Sequence, residues 1–180
     1  MAVFTTGDRK QSRRVYEGGI INLRVDTLAH DNGQTVIREL VEHNGGVVIA
    51  CRPQPDQIIL IRQYRYSCDG DLVELPAGRI EKGEEPLLAA QRELTEETGY
   101  KAKSWRKIGQ MYSAPGFCNE ILYMYEAQEL TFLGKNLDPD EETDVIILGL
   151  AEAWRMALSG ELQDAKTIAG LGLLMGTQLS

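Results

Sequence analysis

The chain has 180 residues, 43% hydrophobic and 26% charged, with a net charge of −8 and a pI near 4.9. A chain of this length is one domain by default and can bury about 70% of its unfolded surface without a disulfide or structural metal. The composition argues against disorder, collagen and coiled coil, and the acidity argues against generic nucleic-acid binding, which rests on Lys and Arg.

The longest apolar runs, such as residues 145–150, fall far short of the roughly 20 residues that span a bilayer. Residues 1–14 lack an apolar stretch, so no signal peptide is expected. The three cysteines, Cys51, Cys68 and Cys118, form no CxxC and predict neither a disulfide framework nor a zinc knuckle. They fit a reducing cytoplasm. His30 and His43, the only histidines, are expected in ordinary structural or surface roles.

In chain order, residues 1–14 are polar and basic (Arg9, Lys10, Arg13, Arg14) and are expected to be mobile or to pair with something acidic. Residues 15–28 alternate in their second half, with Ile21, Leu23 and Val25 facing one way and Asn22, Arg24 and Asp26 the other. That pattern predicts a half-buried strand. Asp31-Asn32-Gly33-Gln34 then predicts a hairpin into a second strand, Thr35–Glu42. Two strands over the first 42 residues have no core of their own and need a partner sheet.

Short apolar strands follow at residues 47–51 and 57–63, split by a turn at residues 53–56, and another at residues 72–75 before Pro76. Residues 86–98 are the clearest helix, with Pro86 at its first position and Gly99 just past its end. Strands are predicted at 105–113, 121–130 and 145–150, with an acidic loop at 138–144, and helices at 151–159 and 163–175 separated by Gly160. Gly170-Leu171-Gly172 and Gly176 neither follow a strand nor open a helix, so they predict close helix packing and not a phosphate loop.

The chemistry lies around the first helix. At about 100° per residue, Glu93, Glu96 and Glu97 fall on one side. Leu87, Ala90 and Leu94 form an adjacent apolar stripe that can pack on a sheet. Like charges at this spacing cost a few tenths of a kcal/mol each in water, and about 3 kcal/mol for a partly buried pair. The triplet alone reads either as a solvated acidic face or as a site for a divalent cation, whose oxygen-ligand chemistry would reverse the sign of that repulsion.

The spacing decides between the two. Gly78, Glu84, Arg92, Glu93, Glu96, Glu97 and Gly99, with apolar Leu94 and Tyr100, form the pattern G-x5-E-x7-R-E-U-x-E-E-x-G-U, U being apolar. Its chance occurrence in such a chain is about one in ten million. At these residues the sequence resembles the Nudix hydrolases, whose signature is complete here. Gln63-Tyr64-Arg65-Tyr66, Glu74-Leu75-Pro76-Ala77-Gly78, Ser113-Ala114-Pro115-Gly116 and Asp164-Ala165-Lys166-Thr167 further resemble the branch of ADP-ribose pyrophosphatases and nucleoside diphosphate sugar hydrolases.

The resemblance implies an α/β (α+β) fold, an α/β/α sandwich around a mixed sheet, spanning residues 43–180. Residues 1–42 would be an N-terminal antiparallel β segment that swaps onto a second subunit, making a homodimer. It implies Mg²⁺-dependent hydrolysis of ADP-ribose to AMP and ribose 5-phosphate in the cytoplasm, with Mn²⁺ as a possible substitute. The alternatives are the same chemistry on GDP-mannose or another nucleoside diphosphate sugar, and a non-catalytic ADP-ribose-sensing module. Against the last, all the signature carboxylates are present and no segment outside the domain could form a winged helix.

By the same resemblance, Glu93 and Glu97 are the main metal ligands, Glu96 supports them, and the backbone carbonyl of Ala77 joins the set. Gly78, Glu84 and Gly99 build the loop and helix ends, and Arg92 holds carboxylates in place beside the reaction. Arg65 contacts phosphate, Glu74 and Glu120 line the site, and Pro115-Gly116 shapes a loop beside the terminal ribose. Glu141, with Glu142 next, is the base or a further metal ligand in the acidic loop, which departs from the branch pattern at Pro139 and Thr143. Tyr16 is a candidate platform for the nucleobase, with sheet packing as the alternative.

Overall fold

The computed structural model describes residues 3–134 and 143–176. The chain divides into two compact units, Met1–Gly45 with Tyr112–Ile121, and Gly46–Met111 with Leu122–Ser180.

The first unit is an antiparallel sheet of β1 (Arg9–Glu17), β2 (Asn22–Ala29) and β3 (Thr35–Glu42) in the order β1-β2-β3. The β2–β3 turn closes as expected. The His30 N–H donates to the Gln34 carbonyl at 2.9 Å, and Gly33 takes a left-handed φ of 83°. The basic stretch, expected to be mobile or to pair with something acidic, forms β1 from Arg9, and the single strand expected over 15–28 breaks where the chain reverses and the Gly18 N–H meets the Ile21 carbonyl at 3.0 Å. The basic residues do find acids. Arg9 lies 3.7 Å from Asp26, and Arg14 reaches Glu17 at 2.9 Å and Glu42 at 3.1 Å. Asp26, placed on the open face by the alternation, is among the most buried residues of β2, held by Arg24 at 3.1 Å. The unit also takes in residues 112–121, tied to β3 where the Val41 N–H donates to the Phe117 carbonyl at 2.7 Å.

The second unit is built on β4 (Gly46–Cys51), β5 (Gln57–Arg65), β6 (Gly70–Glu74), β7 (Ala77–Arg79), α1 (Pro86–Thr98), β8 (Tyr100–Tyr112), β9 (Ile121–Phe132), β10 (Thr143–Gly149), α2 (Leu150–Ser159) and α3 (Ala165–Gly176). The sheet runs β10-β5-β4-β9-β8, with β6 on β5 and β7 on β4. It is mixed, because β4 and β9 are parallel while β4–β7, β5–β6 and β5–β10 are antiparallel.

Every residue of β4 is buried, which its continuous apolar run dictates for a strand covered on both faces. Side chains of a strand alternate between faces. Val47, Ile49 and Cys51 accordingly join Ala89, Ala90 and Leu94 of α1, while Val48 and Ala50 join Ala153 of α2 and Leu171 and Leu174 of α3. The expected α/β/α sandwich around a mixed sheet is therefore present in this unit. Helix α1 has the bounds the sequence predicts, and Gly99 closes it in the left-handed region at φ 76°. Its buried stripe differs by a residue, since Leu87 is 37% exposed and Ala89 packs in its stead. Strand β7 carries no sequence signal of its own and forms through its pairing with β4.

Candidate active site

The loop before α1 is held from within. The Glu84 N–H donates to the Glu81 carbonyl at 3.0 Å, and the Glu84 carboxylate accepts the Glu81 N–H at 2.9 Å. Gly83 turns the chain at φ 83°, where a side chain would be strained. Gly78 is required for a different reason. A Cβ at that position would lie 1.9 Å from Cδ of Glu93, so the missing side chain is the space that the Glu93 carboxylate fills.

Arg92 organises the acidic face. Its Nε and Nη2 each reach the Glu84 carboxylate at 3.1 Å, and Nη2 also donates to the Arg79 carbonyl at 2.9 Å. Nη1 lies between Glu93 Oε1 at 2.8 Å and Glu96 Oε2 at 2.9 Å. The planar fork of a guanidinium suits this; an ammonium could not span all four partners. Glu84 foremost, then Glu93 and Glu96, drive the Arg92 pKa upward, so it stays charged throughout. In return Arg92 holds the Glu84 carboxyl below its ordinary range, against a smaller upward push from burial. Glu97 is only 2% exposed, and its Oε2 accepts the Ala77 N–H at 2.9 Å. Its backbone carbonyl accepts the Thr143 hydroxyl at 2.9 Å, tying the end of α1 to β10.

A second charged group joins β5, β6 and the start of α3. Arg65 clasps Glu74 with Nε at 2.8 Å and Nη2 at 2.7 Å, and Lys166 donates to the same Glu74 Oε2. Burial pushes the Glu74 pKa up, but the two cations more than offset it and the carboxyl stays below its ordinary range. Asp164 caps α3 by accepting the Thr167 N–H at 2.9 Å, and the Thr167 hydroxyl accepts the Leu75 N–H at 2.8 Å. Each polar member of the Asp164-Ala165-Lys166-Thr167 motif thus has a physical task, and Lys166 is a member of the charged group to which sequence reasoning assigned no role. Of its two acidic partners, Asp164 is two positions away, but Glu74 is remote along the chain, so only the motif itself could have flagged it. Gly170 packs on Leu75, where a Cβ would meet its Cδ1 at 2.7 Å, in keeping with a glycine kept for close helix packing.

Pro115, Gly116 and Glu120 belong to the first unit. There Glu120 Oε1 lies 3.1 Å from Nδ1 of His43, and the Asn119 side-chain oxygen accepts the His43 N–H at 2.9 Å. Tyr16 is exposed, and its ring lies over Gly18, where a Cβ would be 2.6 Å away. Glu141 and Glu142 lie outside the described residues.

Whether the acidic face suits a divalent cation follows from its donors. Glu93, Glu96 and Glu97 offer carboxylate oxygen only, the donor type of Mg²⁺ and Mn²⁺, and the cradle at Gly78 makes room for one of them. Arg92 already supplies the positive charge between Glu93 and Glu96. Among the described residues, no three acidic, His or Cys side chains converge as a metal cage. The residues fit such an ion in donor chemistry and in their placement on one helix.

The NUDIX domain matches residues 34–171, and the chain belongs to that family. It is a Nudix pyrophosphohydrolase. Over 156 residues, 86% of this chain and 84% of the relative, it is 40% identical to an ADP-ribose pyrophosphatase of Bacillus subtilis. It is 36% identical over 166 residues to a protein of Bacillus methanolicus named methanol dehydrogenase activator, covering 91% of this chain and 90% of that one. It is 31% identical over 165 residues to a GDP-mannose pyrophosphatase of Salmonella typhimurium, covering 84% and 85%. A solved structure described as an ADP compounds hydrolase superposes with a TM-score of 0.81 over 93% of this chain and 91% of that one, at 22% identity, so the fold is shared. No helix among the described residues is long and apolar enough to cross a membrane.

Proposed function

We propose that this chain hydrolyses the pyrophosphate of ADP-ribose, giving AMP and ribose 5-phosphate, in a Mg²⁺-dependent reaction that Mn²⁺ can also support. The observation that carries the reading is Arg92 joining Glu84, Glu93 and Glu96 beside the cradle at Gly78. The named activity of the Bacillus subtilis relative supplies the substrate.

Glu93, Glu96, Glu97 and the Ala77 carbonyl would hold the cation. When bound, it supplies neutralisation of phosphate charge and acidification of water. Arg92 keeps Glu93 and Glu96 oriented, at no cost in reorganisation when substrate arrives. Arg65 binds a phosphate oxygen through its fork. Water attacks one phosphorus, the bond from that phosphorus to the bridging oxygen breaks, and the bridging oxygen leaves on the other phosphate. Glu141, with Glu142 next, takes the proton from the water. Glu74 lines the site behind Arg65, through which it acts; in the first unit, Glu120 and the loop at Pro115 and Gly116 are the further substrate contacts, and Tyr16 offers a face to the base. The N-terminal sheet pairs with a second copy in a cytoplasmic homodimer.

Product chromatography tests this. Wild type with Mg²⁺ should release AMP from ADP-ribose faster than GMP from GDP-mannose. The Glu93→Gln/Glu97→Gln protein should stay folded and lose activity by on the order of a thousandfold or more. Faster cleavage of GDP-mannose would replace the substrate and keep the chemistry. Binding of ADP-ribose without turnover would make the chain a sensor. Unchanged turnover in Glu141→Gln at saturating Mg²⁺ would remove that residue as the base.

A further inference from the structure

Glu74 is 1% exposed, the most buried carboxylate among the described residues, yet it has two cationic partners. The partners differ. The Arg65 side chain at the end of β5 is 34% exposed. Lys166, in the first turn of α3, is 17% exposed and also anchored to Asp164 at 2.9 Å. Arg65 is therefore the more open of the two cations, and Lys166 is the one held by two carboxylates.

A buried carboxylate that loses its only partner is left with an uncompensated charge, whereas one that keeps a partner is not. If Glu74 had Arg65 alone, any anion drawing Arg65 away would strand it. We infer that Lys166 is a positioning residue: it keeps Glu74 paired, so that Arg65 can turn from Glu74 to a phosphate of the substrate. This rests on the reading of Arg65 as a phosphate contact. Lys166 touches no substrate and acts through Glu74.

The test compares steady-state kinetics on ADP-ribose with Mg²⁺ for wild type, Lys166→Met, Lys166→Arg and the double variant Lys166→Met/Glu74→Gln. Lys166→Met should raise KM on the order of tenfold with kcat changed far less, because Arg65 is then locked on Glu74. Lys166→Arg should restore most of the lost affinity. The double variant should recover KM relative to Lys166→Met, since no charge remains to be stranded. A purely structural role predicts the opposite order, with the double variant no better than the single, and a loss in thermal melting that tracks the loss of function.

The Arg65 Nε–H resonance in NMR gives a readout without turnover. On titration with inorganic pyrophosphate it should shift at lower concentration in wild type and Lys166→Arg than in Lys166→Met. Should Lys166→Met fail to fold, Lys166→Gln keeps a donor to Glu74 without the charge and replaces it in both measurements. Equal KM or equal pyrophosphate affinity with and without the lysine charge, or no recovery in the double variant, overturns the inference. Wild type that cleaves no sugar nucleotide overturns the functional reading instead, and the pyrophosphate titration still decides the role of Lys166.

Discussion

The two units hold themselves together in different ways. The second unit has apolar clusters on both faces of its sheet, built from β4, β5 and β9 against α1 on one side and α2 and α3 on the other. In the first unit, Leu28 is the one buried apolar residue among those described, every residue of β1 is exposed, and Ile20 and Ile37 lie open. What orders its strands is the register of the hairpins and a ladder of ion pairs through Arg14, Arg24, Asp26 and Glu42. The pairs of the half-exposed Arg14 are each worth little, and only those of Arg24 are part-buried. A rigid core can hold carboxylates to within fractions of an ångström, and the signature helix is on that core. The thin sheet has apolar surface left over, which supports the proposal of a second copy.

The contrast can be broken by mutation. The largest stability effect should come from Leu94→Ala, which empties a fully buried position of α1 and should cost roughly 2–5 kcal/mol in urea unfolding. Gly78→Ala should come next. Its new methyl displaces the Glu93 carboxylate, costing about 1–3 kcal/mol, with a fall in kcat well beyond what the loss of stability explains. If the melting temperature falls and kcat does not, the cradle has no part in the chemistry.

A smaller effect should appear in acid. Glu74, Glu84 and Glu126 are all held below the ordinary glutamate range in the folded state, Glu84 first by its bond to Arg92. For Glu74 and Glu126, cations overcome the upward push of burial: Arg65 and Lys166 for one, Arg52 and Arg106 for the other. A lowered folded pKa means that each contribution is fully present above the ordinary value and lost as the pH falls through the lowered one. Stability from chemical unfolding should therefore be flat near neutrality and decline only below the ordinary glutamate pKa. Glu126→Gln should flatten that decline.

The smallest effect is expected in the first unit, where Ile37→Ala should change stability by about 0.5 kcal/mol or less. A larger cost that depends on protein concentration would mean that Ile37 is covered by a second copy, and light scattering on the same protein would then show it dissociating. A large cost independent of concentration would end the contrast between the units.

Local rules go far here. The bounds of α1 follow from Pro86, a period of 3.6 and Gly99 at the left-handed end, and the turn at Gly33 follows from Asp-Asn-Gly. The same rules misplace Asp26 and Leu87, because alternation and helical period say which residues share a face but not what covers it. The break at Gly18 was missed because the strand pattern resumed beyond it.

The sequence by itself determined the class of chemistry, since the spacing of Gly78, Glu84, Arg92, Glu93, Glu96 and Glu97 is confined to one loop and one helix, where separation along the chain maps directly onto separation in space. Only the tertiary structure decided what each residue is for. That Gly78 of β7 is the space for Glu93 of α1, and that Lys166 reaches a carboxylate 92 positions away, are facts of packing between separate elements. No local propensity encodes such contacts, because they exist only once the sheet and its helices have closed on one another.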